Sequence, residues 1–161
     1  MPASQPRLHI AAADPQGPEA LALLHQAALE ARALYPELSD PNAPWPTNAP
    51  TLPRGIYLIA SLEGRAVGMG AHRPLDADCT ELRRMFVDAA FRQQGVARAL
   101  LEALEAHARS QDFSCLRLET GMRQSAAMAL YESFGFVRIP AFGEYVGDAT
   151  SRCFEKRLPP I

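Results

Sequence analysis

Arg92-Gln93-Gln94-Gly95-Val96-Ala97-Arg98 follows an apolar, strand-like run that holds Leu82, Met85, Phe86 and Val87, and it opens an amphipathic helix. A short turn centred on Gly95 at such a junction aims several free backbone N–H groups at one point, where the helix dipole also favours negative charge. The stretch therefore reads as a cradle for a phosphate or pyrophosphate. It is not a Walker A loop, which needs Lys and then Ser or Thr after its second glycine, nor a G-x-G-x-x-G dinucleotide turn. A side chain at Gly95 would hold the phosphate off the backbone. Arg92 and Arg98 either add charge-assisted phosphate contacts or stand as solvated arginines at a helix end.

Outward from this stretch, Thr80–Val87 is expected as the strand before the cradle and Gly95–Ser110 as the helix after it. That helix has Val96, Ala99, Leu100, Ala103, Leu104 and His107 on one face. Upstream, Ile56–Leu62 and Arg65–Ala71 flank Glu63-Gly64 and read as a β-hairpin. Leu8 to Ala11 suits a short first strand. A helix is expected after Asp14-Pro15 and Gly17-Pro18-Glu19, with Leu21, Leu24, Ala28 and Ala31 at helical spacing, ending by Pro36. Six prolines, with Trp45 among them, fall between Pro36 and Pro53. This stiff stretch is either a lid or binding loop, or a surface connector with Trp45 tucked onto the core. Downstream, the pattern predicts a strand Cys115–Glu119, a helix near Ser125–Phe134 ended by Gly135, and strands at Phe136–Ile139 and Arg152–Leu158. The order defines a mixed α/β (α+β) class, while strand pairing is not visible in periodicity.

The chain has 161 residues, 48% of them hydrophobic, which suits a single domain (1–161) around one core. A net charge of −2 leaves no basic footprint for nucleic acid or an anionic membrane. No run is apolar enough to span a bilayer. The opening Met1-Pro2-Ala3-Ser4-Gln5-Pro6 lacks the apolar core of a signal peptide. Cys79, Cys115 and Cys153 are far apart and form no C-x-x-C pair, so neither zinc nor a disulfide framework is expected, and a reducing cytoplasm is the expected compartment.

The cradle fits R/Q-x-x-G-x-G/A, with Arg92, Gly95 and Ala97 in the three fixed places. A second run, Gln124-Ser125-Ala126-Ala127-Met128-Ala129-Leu130-Tyr131-Glu132-Ser133-Phe134-Gly135-Phe136, is similar to N-x-x-A-x-x-L-Y-x-x-x-G-F, matching at Ala127, Leu130, Tyr131, Gly135 and Phe136. Together, and in this order, the two resemble the GCN5-related N-acetyltransferases (the GNAT family). The resemblance covers roughly residues 56 to 158. It implies a splayed mixed sheet of about seven strands flanked by helices, with a coenzyme A core over about 80–136. It also implies that acetyl-CoA lies between the strands ending near Val87 and Glu119. The strand Met85-Phe86-Val87 would hold the pantetheine arm through its backbone. Gln93, Gln94, Gly95, Val96, Ala97 and Arg98 would surround the pyrophosphate. Gln124 stands where the family has Asn.

Acetyl transfer to an amine needs a base for the amine proton, a donor for the oxyanion, and an acid for the departing thiolate. A phenol stays protonated at neutral pH, and the family often uses a tyrosine at the position of Tyr131 as that acid; the other reading of Tyr131 is core packing. Glu81 is a base candidate because it sits with Arg83 and Arg84 in an otherwise apolar strand, although a Glu81–Arg83 surface pair would explain it equally well. Strand alternation puts Glu81, Arg83 and Met85 on one face and Leu82, Arg84 and Phe86 on the other. Glu119 is a second candidate, for base or acceptor binding, unless it pairs with Arg117. Tyr145 and Arg123 fall at acceptor-side loops. Arg83, Arg84, Arg123 and His72-Arg73 offer positive charge for a carboxylate, which points to an amino-acid-like amine attacking directly in a ternary complex. His9, His25, His72 and His107 are too scattered for a metal set. The alternatives are a protein or peptide N-acetyltransferase and an acyl-CoA-sensing module without catalysis. A homodimer is a common assembly in the family.

Overall fold

The computed structural model describes residues 7–161, so the reading of the first six residues as lacking a signal core lies outside the described residues. Seven strands alternate with three long helices: β1 (Leu8–Ala12), α1 (Pro18–Leu34), β2 (Ile56–Leu62), β3 (Arg65–Pro74), β4 (Cys79–Val87), α2 (Val96–Ser110), β5 (Cys115–Gly121), α3 (Ser125–Ser133), β6 (Val137–Ile139) and β7 (Ser151–Arg157). They form one sheet in the order β1-β2-β3-β4-β5-β7-β6, in which β7 inserts between β5 and β6. All neighbouring pairs are antiparallel except β4 and β5. In the hairpin turn Glu63 and Gly64 both have positive φ, 50° and 81°. Two left-handed residues match the twist of the flanking strands, which is why an X-Gly pair closes β2 onto β3.

The two sheet faces carry separate cores. Leu58, Val67, Leu82, Leu116, Leu118 and Phe154 pack under the α2 stripe of Val96, Leu100, Leu101 and Leu104. On the opposite face Tyr57, Ile59 and Met69 pack under Ala20, Leu23 and Leu24 of α1. No described helix is long and apolar enough to cross a membrane.

β4 departs from the expected alternation. Its register with β3 jumps between Met69–Phe86 and Ala71–Arg83, and Arg84 takes a left-handed φ of 61°. This bulge moves Met85 to the α2 core beside Leu82, while Phe86 packs with Tyr57 in the α1 core. The simple two-residue period across Met85 is thereby corrected: one inserted residue reverses the side of everything beyond it. A non-glycine residue is costly in this conformation unless its surroundings hold it. The holder is Asn48, buried within the proline-rich stretch. Its Oδ1 accepts from Arg84 Nε at 2.9 Å, and its Nδ2 donates to the Pro15 carbonyl at 2.7 Å. Trp45 packs at a tilt against His25 (4.3 Å between ring centroids) and lies under the Arg32 guanidinium at 3.7 Å. It is 45% exposed, so the stretch is fastened to α1 and to the bulge, not buried in the core.

The fold brings together two pairs that lie far apart in sequence. Cys79 and Cys115, 36 positions apart in sequence, are direct partners across β4 and β5. His72 Nε2 and His107 Nδ1 meet at 2.8 Å, and His72 Nδ1 meets Thr80 Oγ1 at 2.8 Å, joining β3 to α2 and β4. Burial pushes the His72 imidazole down to about 4, with His107 adding to the effect. His72 is thus neutral and 2% exposed, and supplies no charge for a substrate carboxylate. Since the unfolded chain takes up this proton near pH 6.5 and the folded one only near 4, stability is full above pH 6.5 and falls as pH drops through that window. The loss should approach ~3 kcal/mol. Denaturant midpoints measured from pH 7 to 4 should show the slope, and His72→Gln should flatten most of it.

Candidate active site

β4 and β5 are paired at three positions only, Cys79–Cys115, Thr80–Leu116 and Glu81–Arg117. Beyond Glu81 the bulge turns β4 aside and the strands diverge into an open wedge. Asp88 N–H reaches back to the Val67 carbonyl at 2.8 Å. Because successive strand residues direct their backbone groups to opposite sides, Val87 and Met85 present theirs to the wedge. Arg92 Nε meets the Val87 carbonyl there at 3.0 Å.

At the wide end, Gly95 caps α2 in the left-handed conformation (φ 81°), and the first ladder bond is Ala99 N–H to the Gly95 carbonyl at 3.0 Å. The N–H groups of Val96, Ala97 and Arg98 thus precede the ladder. A Cβ on Gly95 would meet nothing within 4 Å. Gln93 is also left-handed (φ 62°), which tightens the turn. The residues present fit a pyrophosphate held by backbone N–H groups. Arg98 lies over the Phe134 ring at 4.8 Å, between α2 and α3, and Arg92 is turned to α1 by an ion pair with Glu30 at 2.7 Å. Gln124 precedes α3 with no side-chain cap bond, its carbonyl accepting from Met128 N–H at 3.0 Å.

The acid–base candidates come from both faces of the sheet. Tyr131 rises from α3 on the α2 side, its ring edge-on to Phe136 with centroids 5.8 Å apart. Burial lifts its phenol to about 12, and the Glu119 charge adds to this. The Tyr131 side chain is buried, 7% exposed. Glu119 lies on the other face of β5, since Leu118 faces the α2 core. Its presumed partner Arg117 is taken by Glu155 across β7, at 3.0 Å. No ion pair among the described residues involves Glu119. Burial raises its carboxyl above the ordinary value; Ser151 opposes this, and Asp148 and Glu81 reinforce it.

Glu81 is a different kind of carboxylate. It is 2% exposed; its Oε1 pairs with Arg83 at 3.2 Å and Arg73 at 3.6 Å, and its Oε2 accepts from the Tyr145 hydroxyl at 2.7 Å. Arg83 also reaches Glu144 at 3.5 Å and Tyr145 at 3.3 Å. Burial works against the Arg83 charge, but Glu81 and Tyr145 outweigh it and hold the group above its ordinary value. Burial and the bond to Glu81 raise the Tyr145 phenol well above its usual range. Arg123 is fastened to Glu37 and to the Leu34 carbonyl beneath the Tyr35 ring, and Arg84 to Asn48. As folded, neither is free to bind a carboxylate; Arg83 and Arg73 share Glu81 as their partner. Asn48 was not legible as a site residue; a proline-rich stretch carries no spacing signal for it.

A cradle at a helix N-terminus, beside a sheet split between the parallel strands β4 and β5, defines a fold that is shared with known proteins. The acetyltransferase (GNAT) family matches residues 22–136, and the chain belongs to that family. It is 39% identical over 103 residues to the IAA acetyltransferase of Azospirillum brasilense, covering 63% of this chain and 67% of that one. It is 34% identical over 129 residues to the N-acetylaspartate synthetase of Danio rerio, covering 78% of this chain but 44% of that protein, so it spans less than half of that relative's length. A Klebsiella pneumoniae structure described as an acyl-CoA N-acyltransferase is 37% identical, with a TM-score of 0.76, over 94% of this chain and 97% of that one. Placing a branched side chain in the clear space at Gly95, against its left-handed backbone, should weaken coenzyme A binding by about tenfold or more. Calorimetric titration of Gly95→Val with coenzyme A, alongside circular dichroism to show an intact fold, measures this.

Proposed function

We propose that this chain works as a single domain that transfers the acetyl group of acetyl-CoA to the amine of a small molecule carrying a carboxylate, by direct attack in a ternary complex. The observation that carries the reading is Glu119, which has no ion pair among the described residues and whose charge acts on the Tyr131 phenol. Bound acetyl-CoA supplies an acyl group on a thiol that leaves readily. Glu119, with its raised proton affinity, takes the proton from the attacking amine, directly or through one water. The Met85 and Val87 N–H groups face the side on which negative charge grows at the carbonyl oxygen. Tyr131, protonated throughout the neutral range, returns a proton to the sulfur. Glu81 in this reading is a positioning residue that holds Arg83 and Tyr145 in place. Arg83, with Arg73, offers the carboxylate site.

The small-molecule reading is supported by a cavity that Thr47, Asn48, Tyr57, Arg73, Arg83 and Arg84 line, with the proline-rich stretch along one side. The name N-acetylaspartate synthetase on a relative points the same way. Thiol release from acetyl-CoA should be seen with α-amino acids and be at least tenfold weaker with their amides. Arg83→Leu should raise KM for the acid and leave the amide little changed. Glu119→Gln should lower kcat/KM by about 10²–10⁴-fold and remove the acid limb of its pH profile, and Tyr131→Phe should lower kcat. Turnover confined to peptide N-termini or protein lysines would overturn the acceptor assignment. Tight acetyl-CoA binding with no turnover on any amine would favour a sensing module.

A further inference from the structure

We propose that Cys79, Cys115 and Glu155 form a binding site for a thiophilic divalent cation of the zinc type, at the closed end of the wedge. The site lies apart from the acetyl-transfer machinery and does not depend on the acceptor. The three residues come from three strands that the register brings side by side. Cys79 faces Cys115 directly across the parallel β4–β5 ladder, and Arg117 faces Glu155 across β5 and β7. Their two sulfurs and one carboxylate oxygen all lie within 4.8 Å of one another, and Cys115 Sγ already donates to Glu155 Oε1 at 3.1 Å. A tetrahedral ion with metal–sulfur bonds of about 2.3 Å needs its sulfurs about 3.8 Å apart, so the ligands require only a small closure. Two sulfurs and one oxygen suit zinc and exclude the all-oxygen preference of magnesium and calcium.

Charge balance favours the exchange. A coordinated cysteine binds as thiolate, so two S–H protons leave to solvent as two metal–sulfur bonds form. Two thiols and one carboxylate carry −1; two thiolates, one carboxylate and one divalent ion carry −1 as well. The buried cluster thus gains no net charge, and Arg117, bonded to Glu155 at 3.0 Å, faces the same charge in either state. Both cysteines are buried, whereas the Glu155 side chain is 17% exposed, which gives a path for the ion and a place for water as fourth ligand. The bound ion would staple β4, β5 and β7 where three ladder pairs alone hold the two wedge walls together.

The test uses purified, reduced protein stripped with a chelator, then titrated with Zn²⁺ against a chromophoric chelator and with Co²⁺ followed by its thiolate absorption. One ion per chain is expected, with at least a tenfold loss of affinity in Cys79→Ser, Cys115→Ser and Glu155→Gln. Cys153→Ser should bind as the wild type does, because Cys153 lies farther along β7 opposite Glu119. Glu155→Gln keeps both thiols, so its loss of affinity is readable even if a serine variant unfolds. Absent saturable binding, binding unchanged in Glu155→Gln or in a folded Cys79→Ser, or equal loss in Cys153→Ser would each overturn the site. A Cys79–Cys115 disulfide in the freshly purified protein would overturn it too.

Discussion

The functional architecture depends on a short ladder that stops early. Three residues of β4 pair with β5, and then the chain inserts one residue too many. The extra residue forces Arg84 into a left-handed conformation, and nothing intrinsic to arginine favours that state. Arg84 is held there because its guanidinium reaches Asn48, which is in turn bonded to the Pro15 carbonyl ahead of α1. The wedge is thus kept open from the far side of the sheet, by a segment that contributes no regular structure of its own. The backbone of Met85 and Val87 reaches the wedge through this distortion.

The electrostatics of the site follow from how two carboxylates are partnered. Glu81 is surrounded by two arginines and a phenol, and the low exposure of all but Arg73 makes that network a framework that fixes geometry. Glu119 loses Arg117 to Glu155, and burial, reinforced by Asp148 and Glu81, lifts its proton affinity. Two acidic residues on adjacent strands thereby acquire different electrostatic states from their surroundings alone.

Much of this was legible in the residues. The cradle, the α2 stripe, the hairpin at Glu63-Gly64 and the second motif in α3 are local features, and each element came within a few residues of its expected bounds. The readings that failed all involve partners distant in the chain. Alternation along β4 could not reveal an insertion that shows only against β3. The pairs Cys79–Cys115 and His72–His107 are created by strand register and by helix docking, neither of which leaves a periodic trace. Arg117 and Glu119 are two positions apart and invite pairing, but the partner across β7 competes better. Arg84 and Arg123 read as free cations because sequence shows a charge and not what already holds it.

The place of β7 between β5 and β6 has a consequence for how the molecule is made. β5, the wall that carries Glu119, shares three ladder pairs with β4 and seven with β7. On a ribosome, residues 151–157 emerge after every other strand of the sheet, so β5 waits with one bare edge and β6 has no partner until they arrive. The first four strands and α2 can assemble beforehand as an antiparallel unit bearing the cradle. The unit bearing the cradle is therefore able to form early, while β5 locks in last. The same order should persist in the finished protein as a gradient of backbone amide protection, highest in β2 and β3 and lowest along β6 and the free end of β5.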